Sequence, residues 1–262
     1  MLSPDQVARF HTEGFLNAGR VISDEEADLL AAEVLRVIEL RAEKRLPQPV
    51  LLHQFGNKET PIWQIVNICD ASPPFMKLVH NRLVAEAAQQ VLGADEVRLW
   101  HDQIQYKVAQ KGGVNHWHQD SPYWPSLAPK DQQVTCWIAL DDADADNGCM
   151  SMVPGSHAWG NRIKYLESIK DFAAMPTEHE GQAVKVQLAP VKKGHLHMHH
   201  SLTWHGSGPN TSGRPRRAIA LHYMNERTVY VKGGGHCMEP FIGVPDGAKI
   251  EGVRFPLVAR RP

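Results

Sequence analysis

One short stretch restricts the possible folds of this 262-residue chain more than any other: Asn115-His116-Trp117-His118-Gln119-Asp120. It sets an imidazole and a carboxylate two residues apart. On an extended strand, residues i and i+2 project from one face, so His118 and Asp120 can both reach a single ion. Facial binding needs a third donor. The best placed is His205, 85 residues beyond Asp120, in Thr203-Trp204-His205-Gly206-Ser207-Gly208-Pro209-Asn210. A chain using this set must fold back until two distant strands meet. Two histidines and one carboxylate form the facial triad of non-haem Fe(II) oxygenases, which leaves positions open for a co-substrate and O2. A lone His-x-Asp arises by chance in many chains. The distal histidine, followed eleven residues later by Arg216, makes the set far more specific.

The texture of the chain divides near residue 97. Before it, Ser3 with Gln6 and Ser23 with Glu26 read as capping boxes. They open a short helix to about Gly14 and a longer one to about Glu43. Leu46 to Pro61 reads as loop. Ser72-Pro73 starts a third helix that runs to Leu92 and stops at Gly93. After it come short β-rich runs punctuated by Gly, Pro and Asp. The expected strands are 97–108, 134–140, 149–153, 183–188, 195–199 and 217–224, with 160–181 an insertion. Such runs suggest a sandwich or barrel. The chain is expected to be one domain over 1–262: a helical part to residue 96, a β core at 97–224 holding the metal site, and a C-terminal segment 225–262. Gly233-Gly234-Gly235 gives that segment the freedom of a possible lid, although an ordinary irregular wrap is the stronger expectation.

Five segments carry a family resemblance: Trp117-His118-Gln119-Asp120; Trp137-Ile138-Ala139-Leu140-Asp141; Asn147-Gly148-Cys149 with Val153-Pro154-Gly155-Ser156-His157; His205 to Asn210; and Arg216-Arg217-Ala218-Ile219. In this order and at these separations, the chain resembles the phytanoyl-CoA dioxygenase family of Fe(II)/2-oxoglutarate oxygenases. The resemblance implies a mainly β fold with flanking α-helices around a double-stranded β-helix, a cupin-like jelly roll. It implies Fe(II) held by His118, Asp120 and His205, and 2-oxoglutarate as co-substrate. Oxidation of an unactivated C–H bond of a small molecule would then consume O2 and release succinate and CO2. Related halogenases replace the carboxylate with a small residue, so Asp120 favours hydroxylation.

The distal carboxylate of 2-oxoglutarate must be paired wherever it is buried. Arg216 suits it, since a guanidinium stays charged and binds carboxylate through two parallel hydrogen bonds. Ser207 can add a hydroxyl, and strand alternation sends Arg217 to the opposite face. The resemblance also places Gln103 and Trp137 against the co-substrate, while Lys107 can face either way. In His195-Leu196-His197-Met198-His199-His200, alternation puts the first, third and fifth residues on one face and His200 on the other. Roles behind the ligands suit these histidines better than metal contact, His200 being the best placed.

Composition excludes several classes. Hydrophobic residues at 42% and charged residues at 22% fit a soluble globular chain, and a formal charge of −1 gives no reason to expect nucleic acid or an anionic membrane. No apolar run approaches a membrane span, and Pro4-Asp5-Gln6 is not a signal peptide, so a cytoplasmic location is expected. Cys69, Cys136, Cys149 and Cys237 lie far apart without a CxxC, which suggests free thiols. Scattered basic pairs disfavour an acyl-CoA substrate and leave a free organic acid, an amino-acid derivative or a secondary metabolite. Two other classes share the residues. One is a catalytically silent member binding metal and 2-oxoglutarate as a sensor or scaffold. The other is a zinc or nickel jelly-roll enzyme, which would leave Arg216 and Ser207 without a role.

Overall fold

Alternation along each strand sorts side chains into two environments, and that sorting builds the molecule. The structure is a computed structural model describing residues 1–261, with the backbone alone for Asn57; Pro262, the last residue of the expected C-terminal segment, lies outside the described residues. Seven antiparallel strands run in the order Phe15–Arg20, His195–His200, Gln133–Ala139, Arg216–Asn225, Glu96–Lys107, Thr60–Val66 and Leu51–Asn57. An eighth, Leu257–Arg260, pairs with the start of Glu96–Lys107. A smaller antiparallel sheet orders Gln187–Ala189, Met150–Met152, His205–Ser207 and Asn115–His118.

The two sheets are the layers of a jelly roll. On Gln133–Ala139, Val134, Cys136 and Ile138 pack against the helices, while Trp137 and Ala139 meet Met150 and Met152 of the small sheet. On Arg216–Asn225, Ile219, Leu221 and Tyr223 face the helices, and Ala218 and Ala220 face inward. Each strand therefore commits one face to the core and gives the other to the space between the sheets.

The helices cover the outer face of the large sheet. Pro4–Glu13 and Asp24–Glu39 both carry the expected capping boxes, and Gly14 ends the first in a left-handed conformation at φ 81°. The expected helix from Ser72 to Leu92 is instead two helices, Pro73–Val79 and Arg82–Leu92. Asn81 restarts the chain by accepting the Val84 N–H at 3.2 Å. Ser72 does not cap, because its hydroxyl donates to Glu33 Oε2 at 2.6 Å.

The part before residue 97, expected to be helical, also contributes three strands. Leu46–Pro61 is not a loop throughout: Leu51–Asn57 and Thr60–Val66 form a hairpin. Pro61 is tolerated because pairing of Thr60–Val66 with Glu96–Lys107 begins only at Ile62, beyond the missing N–H. Phe15–Arg20 pairs with the histidine-rich strand at the sheet's end. The expected strand 183–188 is broken into Gln182–Ala183 and Gln187–Ala189.

The 160–181 segment holds the short helix Ile163–Ser168 and docks through Phe172, whose ring stacks on Trp117 at 5.1 Å and whose carbonyl accepts the Trp117 indole N–H at 2.9 Å. In the C-terminal segment, Glu239 accepts from the Gly233 N–H, the Gly235 N–H and the Tyr230 hydroxyl. The four cysteines are free, and no helix among the described residues is long and apolar enough to cross a membrane.

Candidate metal centre

Asn115–His118 and His205–Ser207 are neighbouring strands, with His205 directly opposite His118. Cross-strand pairing thus brings together two imidazoles that are far apart in sequence. Gly206 is needed between them, since a Cβ there would lie 2.9 Å from the Asn115 carbonyl oxygen. His205 is steadied by its neighbour Trp204, whose N–H donates to Ser156 Oγ at 2.8 Å and whose carbonyl accepts the Val153 N–H at 3.0 Å.

The extended geometry expected through Asp120 does not hold there. The strand ends at His118, and Asp120 adopts helical backbone angles (φ −74°, ψ −55°) at the head of a tight turn. Its N–H donates to the Ser201 carbonyl at 2.9 Å. Gln119 fastens the turn by donating to the carbonyls of Leu202 and Gly160 and accepting the Arg162 N–H. The Asp120 carboxylate still reaches the same point as the imidazoles.

One ligand atom each from His118, Asp120 and His205 can be chosen so that all lie within 4.8 Å of one another. Asp120 Oδ1 stands 3.7 Å from His118 Nε2 and 3.5 Å from His205 Nε2. The other ring nitrogens are used: Nδ1 of His118 donates to the His116 carbonyl at 2.7 Å, and Nδ1 of His205 to that of Thr203 at 2.9 Å. A carbonyl can only accept, so both Nε2 lone pairs are left for a ligand.

Asp120 Oδ2 is also used, by the Thr135 hydroxyl at 2.6 Å and His199 Nε2 at 3.0 Å, which leaves Oδ1 as the free donor. Thr135 Oγ1 in turn accepts from His222 Nδ1 at 2.9 Å. Burial, reinforced by the neighbouring His205, pushes His118 down to about 3. Burial alone would raise Asp120, but His205 and His199 outweigh it and hold the carboxyl well below its usual range. Burial opposes protonation of His205, yet the Asp120 carboxylate prevails and raises it. Two imidazoles and a carboxylate, each with its second polar atom engaged, form a donor set suited to Fe(II).

Among the described residues, this trio is the one cluster with metal-holding geometry. The histidine tract alternates as expected, but the residue behind the ligands is His199 and not His200. His200 faces the other way, beside the His157 ring at 5.2 Å, where its Nδ1 accepts the Leu202 N–H. His197 Nδ1 meets Asn17 Oδ1. The sequence reading missed Thr135 and His222. The signal for both was alternation, since Thr135 lies two residues before Trp137 and His222 six after Arg216.

Arg216 is 2% exposed and its guanidinium lies 5.6 Å from the centre of the Trp137 ring. Its Nη1 donates to the Gln105 carbonyl at 3.4 Å, and its buried Nε has no partner. Burial lowers it to about 10. Arg217 points outward as expected, gripping Asp141 through Nε at 2.8 Å and Nη2 at 2.7 Å. Lys107 turns inward, fully buried, and donates to the carbonyls of Ser207 and Gly208. Burial and then Arg216 hold it well below its usual value. A buried guanidinium without a carboxylate partner fits an anionic ligand such as 2-oxoglutarate.

The space around the ligands has two compartments. A narrow one of about 50 Å³ includes Arg216, Ser207, Trp137 and Gln103 in its lining. A wide one of about 1150 Å³ opens on the other side. His118, Asp120, Gln103 and His222 line both, whereas Arg216 and Ser207 line the narrow one alone.

The chain is similar in sequence and fold to known proteins. The phytanoyl-CoA dioxygenase family model matches residues 10–218. An ectoine dioxygenase of Bordetella parapertussis is 29% identical over 248 residues, spanning 85% of this chain and 75% of that protein. A solved non-haem α-ketoglutarate-dependent carbocyclase of nogalamycin biosynthesis superposes with a TM-score of 0.77 at 26% identity, covering 98% of this chain and 97% of that one. The corresponding epimerase, at 22% identity and the same TM-score, covers 98% of each chain and shares the fold.

Proposed function

The chain belongs to the phytanoyl-CoA dioxygenase family and is a 2-oxoglutarate-dependent dioxygenase using Fe(II), and on that premise we propose that it hydroxylates an unactivated C–H bond of a small-molecule substrate. Residues 1–262 are read as one oxygenase domain. When bound, iron and 2-oxoglutarate supply the oxidising power, with O2 consumed and succinate and CO2 released. The chain's own residues bind, orient and shield.

His118, Asp120 and His205 hold the metal on one face. Thr135 and His199 fix Asp120 Oδ2, so that Oδ1 keeps a single orientation toward the ion. Arg216 and Ser207 receive the distal carboxylate of the co-substrate, and Trp137 lies beside the guanidinium. Lys107 steadies this receptor through the Ser207 carbonyl. Gln103, on the boundary between the compartments, can touch the co-substrate from the narrow side. The substrate enters the wide side, where His118 and Asp120 form the floor.

The observation that carries this reading is a buried Arg216 without a carboxylate partner, in the same narrow compartment as a trio of convergent ligand atoms. Succinate formation with added Fe(II) and 2-oxoglutarate tests it. Wild type should turn over 2-oxoglutarate, and His205→Ala, lacking one donor, should lose Fe(II) affinity and turnover together while remaining folded. No succinate from wild type across a substrate panel would favour a silent binder. Normal turnover by His205→Ala would remove that residue from the ligand set.

A further inference from the structure

We propose that the substrate is a large, uncharged molecule built on fused or linked rings and bearing hydroxyl or carbonyl groups, bound in the wide compartment. This inference rests on the oxygenase reading above, because it takes the metal face as the floor of that compartment. Size comes first. At about 1150 Å³ the space exceeds the roughly 300–1,000 Å³ of pockets that hold drug-sized ligands. A free amino acid or short organic acid would touch few of its walls.

The walls are flat and aromatic, with Phe55, Trp117, Tyr123, Trp124 and Phe172 among them. Such faces favour rings stacked on or packed edge-on against them. Apart from the metal ligand Asp120 and three exposed charged side chains, the polar groups between them are amides, hydroxyls, imidazoles and one thiol. His101 is 1% exposed, and its buried Nδ1 has no partner in the protein. The His101 ring stacks on His222 at 4.5 Å, and His222 Nδ1 already donates to Thr135, so its Nε2 can only accept. Burial holds His101 well below its usual value and pushes His222 and His236 down to about 4, so all three imidazoles are uncharged near pH 7.

Charge then excludes the main alternatives. Among the described residues, the lining has one lysine and no arginine; that lysine is Lys170, exposed and accompanied by Glu167 and Asp171. The phosphates of an acyl-CoA, or the carboxylate of a free acid, would find no buried cation here.

Equilibrium dialysis of the anaerobic Fe(II)–2-oxoglutarate complex tests this with three probes: 1,8-dihydroxyanthraquinone, ectoine and phytanoyl-CoA. The anthraquinone should bind with Kd of about 100 µM or tighter, and the other two at least about tenfold more weakly. Ile169→Trp, and separately Val114→Trp, place bulk in the wide compartment away from the ligands. Each should weaken anthraquinone binding about tenfold or more while Fe(II) and 2-oxoglutarate affinities stay unchanged. Preference for ectoine or phytanoyl-CoA, absence of anthraquinone binding, or full binding by both tryptophan variants would overturn the inference and leave the oxygenase reading standing. Failure of wild type to bind Fe(II) and 2-oxoglutarate would overturn both.

Discussion

Removing the Arg216 guanidinium should separate co-substrate binding from metal binding. The side chain is 2% exposed, and its hydrogen bond to a protein acceptor is a long 3.4 Å contact with the Gln105 carbonyl. Burial pushes it down to about 10, which corresponds to a penalty on the charged form of about 3 kcal/mol. A docking carboxylate relieves that penalty. Breaking a buried charged pair from one side typically costs about 3–5 kcal/mol. Arg216→Ala should raise the 2-oxoglutarate Kd by roughly two to four decades, with Fe(II) affinity unchanged. Arg216→Lys should recover only part of this, since an ammonium cannot reproduce the paired geometry. Arg217→Ala should change stability and not co-substrate affinity, because its partner is Asp141 on the outer face. Anaerobic calorimetric titration of 2-oxoglutarate into the three Fe(II)-loaded variants measures all of this. If Arg217→Ala is the impaired variant, the strand faces are assigned wrongly. If none responds, the distal carboxylate is held elsewhere.

Thr135→Val keeps the side chain's shape but deletes the 2.6 Å donor to Asp120; Fe(II) affinity should fall about 10- to 100-fold, and an unchanged titration would show that His199 positions the carboxylate alone. Asp120→Gly should abolish or sharply reduce hydroxylation, and undiminished product formation would exclude the carboxylate as a required ligand. Asp102 is buried, accepts the Ile68 and Cys69 N–H groups, and is pushed up to about 7 by burial. Between the unfolded value of about 3.9 and that raised value the folded state binds more protons, so stability falls as pH rises through this window. Asp102→Asn should flatten the urea midpoint between about pH 4 and 7, and an unaltered slope would assign the effect to another group.

The parts of the molecule that could be read from sequence were those fixed by local rules. Alternation separated Arg216 from Arg217 and His199 from His200, and the capping boxes at Ser3 and Ser23 marked two helix starts. What could not be read depended on distant partners. The Leu51–Val66 hairpin was hidden by the mixed polarity of its first strand and by Pro61, although Ile62, Trp63, Ile65 and Val66 are good strand formers; its pairing with Glu96–Lys107 is a contact with a distant segment. Ser72 looked like a cap, but Glu33 takes its hydroxyl. The choice of His199 over His200 behind Asp120 was a question of which strand face met the turn at Ser121. The alternation was visible, and the meeting point was not.

The two compartments differ in how freely their walls can vary. His118, His205, Ser207 and Arg216 lie on paired strands, where inserting or deleting one residue would turn every later side chain in the strand to the other face, exchanging Arg216 for Arg217. Strand length there is effectively frozen. The wide side takes part of its wall from the 160–181 segment, through Glu167, Ile169, Lys170, Asp171 and Phe172, and part from His236 and Cys237, all outside the ladders of the two sheets. Changes of length in that part of the wall can alter what the compartment admits without turning His118, His205 or Arg216 to another face.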